Sequence, residues 1–119
     1  GKLFSVNPKT TIGIPNLFPR NERLVCVIET EFGKMLLVMV GAMLVNGIVT
    51  RWAGKITPFK MKKSVQLNHT YNKGDEIAHF QFGSTVILVL PKNCADWTKN
   101  CKKSEHILMG EPFLSLNNL

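Results

Sequence analysis

The sequence predicts a mainly β protein: a single compact barrel or sandwich of short strands formed from residues 1–119. Three observations carry this. Apolar runs rich in β-branched and aliphatic residues recur at strand length, at Leu24–Ile28, Met35–Val40 and Thr85–Leu90. Turn signals separate them, at Glu31-Phe32-Gly33-Lys34, at Asn72-Lys73-Gly74-Asp75 and at Pro91. Hydrophobic residues make up 45% of the chain with few long polar tracts, which suits a folded body with a modest core.

Taken in order, residues 1–21 place Pro8, Gly13, Pro15 and Pro19 at short intervals. That spacing predicts an ordered loop with one short extended piece at Leu3–Val6. Residues 23–41 read as a β-hairpin, Leu24–Ile28 going out and Met35–Val40 returning, with Gly33 supplying a positive φ in the turn. Both arms are apolar on successive residues, which predicts burial on both faces or against a partner segment. Met43–Trp52 reads as a third strand ended by Thr57-Pro58, with Gly47 marking a bulge or a close backbone approach. Ser64–Leu67 is a weak strand, Asn72–Asp75 a strong turn, and Glu76–His79 a short strand leading to Gly83-Ser84. Beyond Pro91, residues 92–106 are polar, with a helical turn expected near Ala95–Lys99. No internal repeat or low-complexity segment is evident.

Fifteen basic residues against eight acidic ones give a net charge of +7, a bias toward anionic partners. Nucleic acid, anionic lipid headgroups and simple solubility all fit it. A nucleic-acid-binding β domain would interleave exposed aromatics with its basic residues, whereas Trp52, Tyr71 and Trp97 are scattered. No apolar run reaches the length of a membrane-spanning helix; Gly41, Asn46 and Gly47 break the richest one, Met35–Val49. Cys26, Cys94 and Cys101 form neither a disulfide framework nor a zinc-type pair of pairs, so no metal is expected. Cys26 alternates with apolar neighbours and reads as a small buried hydrophobe. A reducing, cytoplasmic setting is the simplest account of the thiols.

The most informative stretch is Phe80-Gln81-Phe82-Gly83-Ser84-Thr85-Val86-Ile87, where a glycine precedes a small hydroxyl nucleophile at the head of a strand. Taken alone, it reads as an ordinary turn feeding a buried strand. Around it stand Leu3-Phe4-Ser5-Val6-Asn7, Asn16-Leu17-Phe18, Arg20-Asn21-Glu22-Arg23, Thr30-Glu31-Phe32-Gly33, Val40-Gly41-Ala42, Trp52-Ala53-Gly54, Lys73-Gly74-Asp75-Glu76-Ile77-Ala78-His79 and Met109-Gly110-Glu111-Pro112. In order and spacing these motifs resemble the carboxy-terminal half of bacterial phosphatidylserine decarboxylase, and they cover nearly the whole chain.

The resemblance implies a pyruvoyl enzyme that converts phosphatidylserine to phosphatidylethanolamine and carbon dioxide in phospholipid biosynthesis. It implies self-cleavage of a proenzyme between Gly83 and Ser84. The Ser84 hydroxyl attacks the Gly83 carbonyl to form an ester, elimination leaves dehydroalanine, and hydrolysis yields a pyruvoyl group in place of Ser84. Gly83 becomes a new carboxy-terminus. A glycine at 83 would let the chain take a tight, sterically unusual turn there. Thr85 reads as an oxyanion donor or as an ordinary strand residue. By the same resemblance Phe4, Ser5 and Val6 shape the headgroup pocket. The family's maturation histidine, its partnering aspartate and its membrane-docking segment are expected upstream of Leu3, beyond this chain. That leaves self-processing by these residues alone in doubt. Among the histidines present, His79 stands five positions before Ser84, but it reads as a satisfied or solvent-facing residue rather than as the base, which the resemblance also places elsewhere.

The expected partners are phosphatidylserine, an anionic membrane surface and the upstream segment of the same proenzyme, with a homodimer left open and nucleic acid not expected. The expected location is peripheral, on the cytoplasmic face of the cell membrane. A competing class comes from Lys73-Gly74-Asp75-Glu76-Ile77, which resembles biotinyl and lipoyl carrier domains and suggests their hybrid sandwich. A biotinyl carrier flanks its modified lysine with two methionines. Here Lys60 has Met61 after it but Phe59 before it, and Lys62 is followed by Lys63, so the carrier motif is incomplete.

Overall fold

The computed structural model describes residues 1–43, 47–56, 64–98 and 105–117. Two short helices, α1 (Pro8–Gly13) and α2 (Leu17–Arg20), precede eight strands. These are β1 (Arg23–Thr30), β2 (Gly33–Val40), β3 (Ile48–Thr50), β4 (Gly54–Lys55), β5 (Ala78–Phe80), β6 (Thr85–Val89), β7 (Ala95–Trp97) and β8 (Leu114–Leu116). They form three small sheets, ordered β1-β2-β6, β4-β3-β5 and β7-β8. The mainly β expectation is met. A closed barrel is not formed among the described residues, because strands of two to eight residues in three separate sheets leave open edges. No helix among the described residues is long and apolar enough to cross a membrane.

By backbone contacts the chain divides into two compact units. One is Gly1–Val25 with Val38–Ile87, the other Cys26–Leu37 with Leu88–Leu119. In the first unit the buried apolar residues are Leu17, Met39, Val40, Ala42 and Ile48, joined by buried Asn21 and Thr50. Strand β3 is the middle of its sheet and pairs antiparallel on both sides. Val49 faces Lys55 and His79, and Thr50 faces Gly54 and Ala78. The Thr50 hydroxyl closes the β3–β4 turn, donating to the Gly54 carbonyl at 3.1 Å and accepting from the Ala53 amide at 3.1 Å. This satisfies a buried polar side chain locally. The predicted third strand is therefore only three residues long where it can be described, with residues 44–46 and the Thr57-Pro58 stop outside the described residues. Gly47 is a close approach, as expected: its φ is +110°, and an added Cβ would lie 2.9 Å from Lys55 Cε.

The amino-terminal loop departs from expectation. Leu3–Val6 forms no strand; the extended contact is a single parallel bridge between Lys2 and Asn21. Next, Asn7 caps α1, its side chain accepting from the Thr10 amide at 2.9 Å, and Pro8 occupies a first-turn position where its missing N–H costs nothing. The Asn7-Pro8 pair was a local helix-start signal, masked by the density of proline and glycine around it.

The hairpin of β1 and β2 is as predicted, with Gly33 at φ +109°. Burial on both faces holds for β2, where Met35–Val40 are half-buried to buried on successive residues, but not for β1. Strand β1 alternates exposed and half-buried residues, so Leu24, Cys26 and Ile28 face inward while Val25 and Val27 face out. Strand β6 is an edge strand whose Val86, Ile87 and Val89 are exposed, correcting the reading of a buried strand. The Asn72–Asp75 turn forms, with reciprocal bonds between the two residues at 3.1 Å and 2.7 Å. Ser64–Leu67 is exposed and makes no strand.

In the second unit, Ala95–Trp97 is strand β7, not a helical turn. It pairs antiparallel with β8, Ala95 facing Leu116 and Trp97 facing Leu114. Thr98 N donates to Phe113 O at 3.1 Å and Asn117 N to Cys94 O at 2.9 Å, extending that pairing past both strand ends. A partner almost twenty residues away outweighs a weak local preference. Among the described residues of this unit, Cys94 is buried.

Candidate active site

The sequence-predicted serine lies in a cleft of the first unit. An open cavity of about 320 Å³ is lined by Ser5, Val6, Asn7, Ala42, Gly83, Ser84 and Thr85. Three chain segments build it: the stretch entering α1, the residues just past β2, and the entry to β6. Ser5, Val6, Gly83, Ser84 and Thr85, read from the sequence as site residues, are thus brought together across nearly eighty positions. Asn7 and Ala42 join them without having been singled out. Phe4 does not line the cleft. Its amide and carbonyl bond the Asn21 side chain, and its ring carries the Arg20 guanidinium at 4.7 Å and the Lys2 ammonium at 5.7 Å.

Ser84 is half-buried, and its Oγ donates to the main-chain carbonyl of Val40, at the buried end of β2. A carbonyl can accept this hydrogen bond but cannot take the proton, so the contact positions the hydroxyl without activating it. Gly83, expected in a sterically unusual turn, has a φ outside the left-handed region, and an added Cβ there would meet nothing within 4 Å. Open space, rather than a strained backbone, characterises that position.

Ser5 faces the same cleft under the control of Asn7. The Asn7 Nδ2 group donates to Ser5 Oγ at 2.9 Å while Asn7 Oδ1 accepts from the Thr10 amide at 2.9 Å and its hydroxyl at 3.1 Å. One carboxamide therefore caps α1 and orients a cleft hydroxyl. With Ser5 Oγ accepting from Asn7, its own hydrogen is free to donate elsewhere.

The lining side chains are apolar, hydroxyl or carboxamide, and none is charged. The cleft can donate hydrogen bonds to an anionic group but holds no acid or base in its lining. No histidine among the described residues bonds Ser84. His79 pairs with Glu76 at 2.6 Å, both half-exposed, in keeping with the satisfied, solvent-facing reading. Lys60, Met61, Lys62 and Lys63, on which the carrier reading turned, and Cys101 lie outside the described residues.

Comparison with known proteins agrees with the motif reading. The family model described as phosphatidylserine decarboxylase matches residues 1–115. A phosphatidylserine decarboxylase proenzyme of Coxiella burnetii (strain Dugway 5J108-111) is 48% identical over 115 residues, covering 93% of this chain and 41% of its own length. The proenzyme of Marinobacter nauticus is 43% identical over 126 residues, with 98% and 43% covered. That of Acinetobacter baylyi is 46% identical over 114 residues, with 93% and 39% covered. The chain thus spans about two fifths of the length of these relatives. No solved structure matches it. On a family match that runs almost from end to end, the chain belongs to the phosphatidylserine decarboxylase family.

Proposed function

We propose that this chain works as part of a phosphatidylserine decarboxylase whose proenzyme splits between Gly83 and Ser84 and converts Ser84 into its pyruvoyl group. The observation that supports this most is the single cleft shared by Ser84, Gly83, Thr85, Ser5 and Val6. In the proposed maturation, Ser84 Oγ bonds to the Gly83 carbonyl carbon as the Gly83–Ser84 amide bond breaks. The Ser84 Cβ–O bond then breaks with loss of the Cα proton, releasing Gly83 as a carboxylate. Water replaces nitrogen at Cα, ammonia leaves, and a ketone remains.

The residues present fit that group. Ser84 opens onto the cavity, and the space beside Gly83 is free. A pyruvoyl group supplies a carbonyl that binds the substrate amine and draws off the electron pair left as carbon dioxide departs. The residues of this chain would bind and orient. Ser5 and Thr85 would donate hydrogen bonds to the headgroup carboxylate or phosphate, and Val6 and Ala42 would limit water. Because the lining holds no base, proton transfer from Ser84 calls for a group beyond that lining, and the resemblance implies an upstream histidine.

The same reading takes phosphatidylserine on an anionic membrane as substrate, with the protein peripheral on the cytoplasmic face and the +7 charge favouring that surface. The hybrid sandwich of the biotinyl and lipoyl domains, as one domain, is the fold we propose for the complete arrangement. The test is the intact mass of the full-length proenzyme. The wild type should yield two fragments meeting at Gly83 and Ser84, the second beginning with a blocked, pyruvoyl terminus. Ser84→Ala should stay whole and release no carbon dioxide; cleavage persisting in that variant would overturn the assignment of Ser84.

A further inference from the structure

Asn21 lines no part of the cleft, yet its side chain joins the segments that do. It is fully buried, with no exposed surface. Its Nδ2 group donates to Phe4 O at 2.8 Å and to Gly41 O at 3.0 Å, and its Oδ1 accepts from Phe4 N at 2.8 Å. Both amide hydrogens are therefore spent on main-chain carbonyls, and the oxygen on a main-chain N–H. Phe4 immediately precedes Ser5, and Gly41 immediately precedes Ala42. Gly41 also follows Val40, whose carbonyl holds Ser84.

The backbone on either side of Asn21 reinforces the arrangement. Lys2 N donates to Arg20 O at 2.8 Å, Glu22 N to Lys2 O at 2.7 Å, and Gly41 N to Glu22 O at 2.7 Å. Residues 20–22 thus lie between the strand-like stretch 2–4 and the end of β2. We propose that Asn21 is a positioning residue for the Ser84 site, setting the separation between the Ser5–Asn7 side of the cleft and the side that carries Ala42 and Ser84. This inference rests on the proposed function for its chemical consequence.

Only a carboxamide meets this set of partners. An ionised aspartate has no hydrogen to donate and would face two carbonyl oxygens; leucine would leave the buried Gly41 carbonyl and the part-buried Phe4 amide and carbonyl without this partner. Reacting atoms must be held close to their productive geometry, and displacements near 1 Å can cost about a hundredfold in rate.

The experiment uses the full-length proenzyme and two readouts. Gly83–Ser84 cleavage is followed by intact mass in the wild type and in Asn21→Asp. Amide hydrogen exchange is compared between Ser84→Ala and Ser84→Ala/Asn21→Asp, so that both proteins are covalently whole. Asn21→Asp should slow cleavage roughly tenfold or more at neutral pH. The deficit relative to wild type should grow as pH rises, because burial beside two carbonyl oxygens favours the neutral carboxyl with its one donor and ionisation removes that donor. Exchange should quicken in peptides spanning 2–7 and 40–43 and stay unchanged across β7 and β8. Cleavage and exchange at wild-type levels would overturn the proposal. So would faster exchange in every segment, which would make Asn21 a residue of general stability. A wild-type proenzyme that never cleaves would defeat the proposed function instead, and the exchange comparison would still decide the role of Asn21.

Discussion

The Ser84 hydroxyl donates its hydrogen bond to the carbonyl of Val40, 44 residues earlier in the chain. Because Val40 is only 1% exposed, this bond ties the entry of β6 to the buried end of β2. The cleft serine is thus positioned by the core rather than by its own turn.

Val40→Ala should therefore disturb both stability and maturation. Removing two buried methyl-sized groups at about 0.8 kcal/mol each, with a further contribution from the cavity left behind, predicts a loss of about 2–3 kcal/mol. Urea denaturation of Ser84→Ala and Ser84→Ala/Val40→Ala proenzymes, both uncleaved, measures it. In an otherwise wild-type proenzyme Val40→Ala should also slow the appearance of the cleaved fragments. A midpoint unchanged by the substitution would show that β2 does not anchor the site.

Two glycines should behave oppositely. Gly33 sits at φ +109°, and an added Cβ would press on Pro91 Cγ at 3.3 Å, so Gly33→Ala should cost about 1–3 kcal/mol. Gly83 has neither constraint, and Gly83→Ala should change stability by no more than about 0.5 kcal/mol. Thermal unfolding of each variant in the Ser84→Ala background distinguishes them. A large loss at Gly83 would restore the strained turn that the Gly83-Ser84 pair first suggested.

Burial pushes the Cys26 thiol above its ordinary value. The folded protein therefore holds this proton more tightly than the unfolded chain does. The stability that Cys26 contributes is fully present below the unfolded thiol value and is lost as pH rises toward the folded one. Alkylation of Cys26 by iodoacetamide should be slower at pH 8 than for an exposed cysteine and should accelerate beyond pH 9. Peptide mapping reads the site, and modification at the rate of a free thiol would contradict the inward placement of Cys26 in β1.

Charge should guide membrane association of the full-length protein. With +7 on these 119 residues, binding to vesicles containing anionic lipid should exceed binding to neutral vesicles. It should weaken as salt rises, since screening acts over about 10 Å at 0.1 M. Sedimentation with vesicles measures both, and equal binding to the two compositions would remove charge as the driving interaction.

By itself, the sequence determined what local chemistry controls. The β1–β2 hairpin was legible because its turn glycine and its apolar runs are contiguous. The Asn72–Asp75 turn was legible because its bonds close within four residues, and the family because its motifs run along nearly the whole chain. Tertiary structure decided whatever depends on a distant partner. Ala95–Trp97 became a strand because β8 completes its hydrogen bonds, and β6 kept apolar side chains exposed because it ends a sheet. Asn7 and Ala42 joined the site, and Phe4 turned toward Asn21, through contacts between segments far apart in the chain. Asn21 stands in the Arg20-Asn21-Glu22-Arg23 motif, but nothing in that motif tells what its side chain does. Its role exists only where the fold brings the buried Gly41 carbonyl beside the part-buried Phe4 amide and carbonyl, and a single carboxamide can satisfy all three.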